Sequence, residues 1–350
     1  MRTVVVLCGG ESGEHEVSLL SASSILSYIP RERYSVIPVG ISKMGEWLTG
    51  DPLFEHENDP SRIRLATGLT PVKLERGKID GKKIDAVFPI IHGSFGEDGS
   101  LQGVLEMFHL PFVGSGVLGS AMGMDKDITK RLCLFSGIHC ARHKTVYRWQ
   151  THRPTYREIT ADLGAVVFIK PCNLGSSIGI SKCRDEKEYE AALSRAFDLD
   201  NKILIEECIE GKEIEVSVLG NERVEVSVPG EIIPGEEFYS YDAKYINSQS
   251  TQLKIPAGLN SAIEDDVRKI AGKVYRVLEL SGLARIDFFV EKKGKVWLNE
   301  VNTLPGFTKI SMYPKLWEAS GVSYPELIHR LIELSITRFE SEAKLKRNRG

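Results

Sequence analysis

The sequence has no run approaching the roughly 20 apolar residues of a membrane span. Its formal net charge of −3 over 350 residues leaves no basic surplus to hold a nucleic-acid backbone or an anionic lipid surface. Neither nucleic acid nor a membrane is therefore expected as a partner, and small polar or charged substrates are. The cysteines Cys8, Cys133, Cys140, Cys172, Cys183 and Cys208 show neither C-x-x-C spacing nor a zinc-type cluster. That speaks for reduced thiols in a cytoplasmic protein and gives none of them a catalytic role. Met1 to Gly10 carry one basic residue and a short apolar run without a cleavage-type region, so no targeting segment is expected. The first glycines read "CGGESGE", not G-x-G-x-x-G, and no acidic ribose-binding strand end follows, which disfavours a nicotinamide enzyme. Internal repeats and low-complexity segments are missing too.

What is present is ordinary globular material, 42% hydrophobic and 27% charged, enough for two or three domains. "TVVVLC" is a β-branched strand, Gly9-Gly10 a turn and "HEVSLLSASSILSYI" a helix. "DAVFPII" reads as a strand, "HGSFGEDGS" as a polar loop, "LQGVLEMFHL" as a helix and "PFVG" as a short strand. Such alternation predicts an α/β, Rossmann-like domain over residues 1–121, with a parallel sheet and outer helices. From residue 122 the texture is α+β. "AVVFIK", "IGISK" and "ILIEEC" are strands, with "DEKEYEAALSRAF" as the one clear helix among them, to residue 213. A third region, 214–350, opens on a hairpin about Gly220-Asn221, contains the polar loop "GEEFYSYDAKYINSQSTQ" and closes with an amphipathic helix and a basic tail.

The segment "KVWLNEVNTLPGFT" raises a specific question, because its apolar alternation gives way to a carboxylate and an amide. Strict alternation puts Val296, Leu298, Glu300 and Asn302 on one face and Trp297, Asn299 and Val301 on the other. Upstream, Arg285, Asp287 and Phe289 share a face, and a tight turn at Lys293-Gly294 would set Asp287 opposite Glu300. Opposed residues have Cβ atoms roughly 4.5 to 5.5 Å apart, so two like charges there call for a cation. Asp287, Glu300 and Asn302 supply hard oxygens and leave positions open, as Mg²⁺ prefers, with Mn²⁺ a substitute. Arg285 on the same face and the Gly306 amide in the next turn add anion stabilisers, a pattern suited to phosphate chemistry. A hairpin with its acids on a solvated face is the alternative.

Lys170 ends a strand that runs into a loop holding Gly175, Ser176, Ser177 and Gly179. Small residues there let backbone amides wrap phosphate oxygens, as in a hairpin flap over a nucleotide; the G-K-[ST] ending of a Walker A loop is lacking. "LIEECIEGKEIEV" follows. Cys208-Ile209 can offer main-chain hydrogen bonds to an adenine edge, and Glu206 or Glu213 can accept from base or ribose.

With Lys126, Lys170, the Gly-Ser-Ser loop, Asp287, Glu300 and Asn302 in this order, the chain resembles the ATP-grasp enzymes. More specifically, "GGESGEHEVSLLSA", "IHGSFGEDGSLQG", "MDKDITK", "IKPCNLGSSIGISK", "YDAKYINSQSTQLKIPAGL" and "ARIDFFV…LNEVNTLPGFTKISMYP" resemble the D-alanine:D-alanine ligases nearly end to end. The resemblance implies an N-terminal Rossmann-like domain, a two-part ATP-grasp module, a cytoplasmic homodimer and condensation of two D-alanines with ATP for peptidoglycan synthesis. It implies Mg²⁺ on Asp287, Glu300 and Asn302. It places ATP on Lys126, Lys170, Gly175, Ser176, Ser177, Glu206, Glu207, Ile209, Glu213, Phe289 and Asn299, with Phe238 on adenine and Lys244 at the γ-phosphate. Glu14 would take the first D-alanine's ammonium group with His92 close by, and Ser176 and Tyr245 would join Glu14 to tie the lid. Arg285 and Gly306 would stabilise the oxyanion, and Lys309, Ser311 and Met312 would meet the second D-alanine's carboxylate. The base for the second amine stays open between His92 and a phosphate oxygen. Cys172 departs from the small residues usual in this loop, a change in packing rather than chemistry.

Two rival readings remain. A relative joining D-alanine to D-lactate or D-serine is opposed by Tyr245 in "DAKY", and a non-catalytic ATP-binding regulator need not keep Arg285, Asp287, Glu300 and Asn302 together.

Overall fold

The computed structural model describes residues 1–56, 63–234 and 252–345. Phe238, Lys244 and Tyr245 lie outside them.

The first sheet runs in the order Ala86–Pro89, Arg2–Gly9, Tyr34–Ile41, Trp47–Thr49, Thr70–Pro71. Its first three strands are parallel, Val4 lying between Ala86 and Val36. The parallel expectation stops there, because Trp47–Thr49 and then Thr70–Pro71 add on antiparallel as a short edge. "PFVG" contributes only an isolated parallel bridge from Phe112 to Val87. The run Val4 to Cys8 is fully buried on both faces, as a central parallel strand requires. Val4, Val6 and Cys8 pack with Leu19, Ala22 and Ile25 of the helix His15–Tyr28, whereas Val5 and Leu7 pack with Leu101 and Leu105 of the helix Ser100–Met107.

The last helix, Tyr324–Ala343, returns to this first sheet. Leu327, Ile328 and Leu331 join the Val4–Val6 core, and the Tyr34 hydroxyl lies 2.9 Å from Glu333 and 2.6 Å from the His329 ring.

The second sheet is antiparallel, ordered His143–Tyr147, Lys202–Glu207, Val167–Pro171, Ser181–Cys183. Glu186–Leu199 is the helix among the last three of these strands, as expected, and a second helix that precedes them also covers the sheet. That second helix, Tyr156–Leu163, starts from a capping box in which Thr155 and Glu158 satisfy each other's backbone N–H.

The third sheet centres on Lys212–Gly220, flanked by Gly230–Ile233 and by Gly282–Val290, with Val296–Asn302 at one edge. Ile214, Val216, Ala284, Ile286 and Phe288 turn one face to the helix Ser261–Val277. The residues between them turn the other face toward the second sheet. Those alternate residues are Glu213, Glu215, Arg285, Asp287 and Phe289.

Candidate active site

The hairpin Gly282–Val290/Val296–Asn302 brings Asp287 opposite Glu300, and it does so by a route that alternation does not show. The turn is not centred between Lys293 and Gly294. Glu291 and Lys295 close it, with the Glu291 N–H 3.0 Å from the Lys295 carbonyl, and the ladder then pairs Val290 with Val296 and Phe288 with Leu298. Continued, that register would set Asp287 against Asn299. Instead Asn299 is an extra residue, a β-bulge, and beyond it Asp287 pairs with Glu300 and Arg285 with Asn302.

The bulge also regroups the faces. Val296 and Leu298 are buried in the core with Val301, so they do not share a face with Glu300 and Asn302 as expected. The cleft side carries Trp297, Asn299, Glu300 and Asn302.

Asp287, 1% exposed, accepts from the Arg285 guanidinium through Nε at 2.8 Å and Nη2 at 2.7 Å, and from the Asn302 amide at 3.0 Å. Arg285 also meets Glu215 at 3.0 Å. Burial works against its charge, but Asp287 and Glu215 outweigh it and hold the guanidinium well above its ordinary range. The Asn302 amide engages Asp287 through Nδ2, so its oxygen is not the atom used there. Two carboxylates and an amide oxygen on one face form a hard donor set that fits Mg²⁺ or Mn²⁺. Among the described residues no cluster of three His, Cys, Asp or Glu side chains forms.

Two cavities meet at this hairpin. A small one of about 20 Å³ is lined by Glu97, Lys126, Gly175, Asn299, Glu300 and Asn302. A larger one of about 440 Å³ takes in Lys170, Ser177, Glu206, Ile209, Glu213 and Phe289, with Asn299 and Glu300 again. The Gly-Ser loop spans both. It joins Val167–Pro171 to the antiparallel strand Ser181–Cys183 as a flap, and Ser176 (φ 52°) and Ser177 (φ 60°) both sit in the left-handed region. Such a pair of non-glycine residues marks strain held by its surroundings. Lys126 donates to the Leu174 carbonyl at 2.6 Å, pinning the root of the flap.

At the inner wall of the larger cavity Glu206, 3% exposed, lies between Lys170 on one oxygen and Lys130 on the other, the latter at 2.9 Å. Burial alone would raise its pKa, yet the two ammonium groups win and bring it down to about 2. Glu207 lines the same cavity, but its carboxylate is taken by Arg142, at 2.8 Å from both the backbone N–H and Nε. Only its main chain is left for a nucleotide.

At the opposite end Ser176 donates to Glu14, which is 5% exposed. Glu14 begins the helix His15–Tyr28 without capping it; the side chain turns to the flap instead. A Cβ on Gly93 would come within 2.7 Å of Glu14 Oε2, and one on Gly175 within 3.5 Å. Gly93 therefore makes room for the carboxylate, whereas a Cβ at Gly175 would meet it only in ordinary contact. Beside it Glu97, which accepts from the Gly93 N–H at 2.8 Å, is pushed up to about 8 by burial and by the charge of Glu14.

His92 stands close by, its pKa lowered by burial. Nδ1 meets the Leu304 carbonyl at 3.0 Å and so carries the hydrogen, which leaves Nε2 to accept from the Ser21 hydroxyl at 3.1 Å. With both nitrogens engaged it is a strut between the helix His15–Tyr28 and the turn at Leu304, which counts against it as the open base.

The last turn is split. Ser311 Oγ would lie 3.2 Å from a Cβ on Gly306 and is bonded to Thr308 at 2.7 Å, so Gly306 and Ser311 face each other. The expected partners of Ser311 point elsewhere. Lys309 is exposed with its ammonium 5.3 Å over the Tyr28 ring, and the Met312 side chain is buried with Ile232 and Leu316. Met312 can serve only through its N–H at the head of the helix Met312–Ala319.

Glu97, Lys130 and Glu215 are the site residues that sequence reasoning missed. For Glu215 a signal existed, because "EIEVSV" alternates and puts it on the same face as Glu213; it is 2% exposed.

Comparison with known proteins gives the family. The family profile described as D-ala D-ala ligase N-terminus matches residues 3–115, and that described as D-ala D-ala ligase C-terminus matches residues 132–333. The chain belongs to the D-alanine:D-alanine ligase family. It is 47% identical to a D-alanine--D-alanine ligase of Shouchella clausii (strain KSM-K16), over 99% of this chain and 97% of that one. Among solved structures it is similar to the D-alanine-D-alanine ligase from Coxiella burnetii, with a TM-score of 0.85, 34% identity and coverage of 99% and 98%. It is also similar to the VanG D-Ala:D-Ser ligase from Enterococcus faecalis, with a TM-score of 0.84, 34% identity and coverage of 95% and 99%. As an ATP-grasp ligase of this family, the chain has its three sheets and their cleft accounted for.

Proposed function

We propose that this ligase condenses two D-alanines in the cleft between the second and third sheets, with Asp287, Glu300 and Asn302 as the metal set and the 440 Å³ cavity as the seat of ATP. The observation that carries the reading is that Asn299 and Glu300 line both cavities. The hairpin therefore stands where a nucleotide's phosphates would meet an acceptor held between Glu14 and Arg285.

A carboxylate resists attack by an amine until one of its oxygens becomes a leaving group. The first D-alanine, its ammonium on Glu14, attacks the γ-phosphorus through a carboxylate oxygen; ADP departs and an acylphosphate remains. The second amine, after losing a proton, attacks the acyl carbon and phosphate leaves. A divalent ion supplies charge neutralisation on the transferring phosphoryl group. Lys126, Lys170, Gly175 and Ser177 orient the phosphates. Glu206, the deeper acid, serves the base, and the more open Glu213 the ribose, with the main chain of Glu207 to Ile209 along the adenine edge and Phe289 against it. Arg285 and the Gly306 N–H stabilise the oxyanion, while Ser311, the Met312 N–H and Lys309 receive the second carboxylate. Phe238, Lys244 and Tyr245 belong to the lid, which with Ser176 closes over the acylphosphate and excludes water.

The region boundaries follow the sequence: 1–121, 122–213 and 214–350. The enzyme works in the cytoplasm as a homodimer; Met107, Val117 and Leu118, 82%, 38% and 61% exposed, form an apolar edge suited to a second copy, and sedimentation equilibrium tests it. A second substrate reading, D-serine or D-lactate in the second position, is motivated by the similarity to the VanG enzyme and opposed by Tyr245.

The test is phosphate release from the purified protein with ATP, Mg²⁺ and D-alanine, against L-alanine, D-lactate and D-serine. Release with D-alanine alone supports the assignment; silence overturns it. Tyr245→Phe is expected to raise ester formation with D-lactate, and an unchanged product ratio would refute the lid's role in selectivity.

A further inference from the structure

The helix Lys126–Phe135 carries two lysines four residues apart, Lys126 and Lys130, and so presents both on one side. Lys126 reaches the root of the flap at the phosphate end. Lys130, one turn on, enters the wall of the larger cavity at its base end, where its Nζ lies 2.9 Å from Glu206 Oε2 with both side chains almost completely buried.

We infer that Lys130 is a positioning residue for nucleobase selection: it holds Glu206 as the acceptor for an exocyclic amine, so that the pocket takes a 6-aminopurine nucleotide in preference to a 6-oxopurine one. This rests on the reading that ATP occupies this cavity. Two observations support the division of labour. Glu206 has two cations, but Lys170 is shared, since it also donates to Asn299 in the bulge at 3.3 Å, on the side of the metal set. Triphosphate arriving there draws Lys170 toward its oxygens. Glu206 would then be a buried carboxylate with no compensation, at considerable cost, were it not for Lys130.

Lys130 is 1% exposed and its ammonium lies 2.9 Å from Glu206 Oε2, so its charge is committed to the carboxylate rather than to the open cavity. An amine at purine C6 donates to the fixed carboxylate. A 6-oxo group opposes it with a second acceptor, leaving both unpaired, the arrangement by which buried polar groups discriminate most strongly.

The experiment measures phosphate release by Lys130→Met, Glu206→Gln and the double variant with ATP and with GTP, folding being checked by circular dichroism. Lys130→Met is expected to raise KM for ATP about tenfold with kcat within about threefold, and to shrink the ATP-over-GTP ratio of kcat/KM about tenfold. In the Glu206→Gln background, where no charge needs holding, it should add less than about twofold. Lys130→Gln, which keeps the side-chain length without the charge, gives the same comparison if the methionine variant does not fold. An unchanged ratio, or an equal effect in both backgrounds, overturns the role of Lys130 alone. If Glu206→Gln itself leaves KM for ATP untouched, the placement of ATP fails and the inference falls with it.

Discussion

Asp287 and Glu300 oppose each other across their hairpin only because Asn299 is an extra residue in its strand. The turn closed by Glu291 and Lys295 sets a register in which Asp287 would face Asn299, with Glu300 one step further along and on the core side. The bulge corrects both errors in one residue.

Deletion of Asn299 should leave a regular hairpin in which Asp287 still faces Glu300 and Arg285 still faces Asn302, because only the extra residue is lost. The expected result is a folded protein that still binds Mn²⁺. Neutralising both acids, as Asp287→Asn with Glu300→Gln, should instead lower phosphate release by more than about a thousandfold, the scale of losing charge stabilisation at a transferring group. Mn²⁺ binding followed by electron paramagnetic resonance reads the site directly, and undiminished Mn²⁺ affinity in the double variant would remove these residues as ligands.

The contact between Ser176 and Glu14 joins the flap to the first helix. Its loss should loosen closure over the acylphosphate before it affects nucleotide binding. For Ser176→Ala the expectation is a several-fold rise in KM for D-alanine and phosphate released in excess of dipeptide, as water reaches the intermediate. Parallel assays of phosphate and dipeptide check this, and a ratio that stays at one would exclude the latch.

Much of this site was legible in the sequence, for physical reasons particular to each part. "TVVVLC" could only be a strand buried on both faces, and the alternation of Arg285, Asp287 and Phe289 fixed their common side. The break in the apolar alternation at Glu300 and Asn302 marked the residues that face Asp287 and Arg285. The bulge was invisible because an inserted residue has no compositional mark, and the opposing acids were paired correctly through a wrong turn. Glu97, Lys130 and Glu215 escaped because a buried charge and a solvated one are spelled alike; only the fold decides which lose their water. The return of Tyr324–Ala343 to the first sheet is a contact between chain ends, which local periodicity does not encode.

Glu97 supplies a pH signature. Its folded-state pKa is raised from 4.5 to about 8 by burial and by Glu14, against a smaller pull from Lys126. A raised acid binds its proton more tightly in the folded state, so its contribution is fully favourable below the unfolded value and is lost as pH climbs through the folded one. Ligand-free protein should accordingly lose stability between about pH 4.5 and 8. Glu97→Gln, neutral throughout, should flatten that slope in denaturant titrations at fixed ionic strength. An identical slope in both proteins would mean that Glu97 ionises normally.

Glu215 tests how the metal set is tuned. It faces Asp287 across the neighbouring strand and shares the Arg285 guanidinium with it, at 3.0 Å from Nε. With Glu215 ionised, Arg285 is balanced from two sides and Asp287 keeps negative charge to offer a cation. In Glu215→Gln the guanidinium leans on Asp287 alone, and the local charge beside the divalent ion becomes less negative by one. At a dielectric near 20, unit charges several ångströms apart interact by about 2 to 4 kcal/mol; with the Arg285 guanidinium beside Glu215 offsetting much of this, a net loss of about 1.4 kcal/mol corresponds to about tenfold weaker affinity for Mg²⁺. The activation curve for Mg²⁺ should shift to about tenfold higher concentration, with kcat at saturation within a few-fold of wild type, because the ligands themselves are intact. A curve that does not move would mean that Glu215 only fills space beneath Arg285, and a lost kcat at saturating Mg²⁺ would mean that it orients Arg285 for the oxyanion instead.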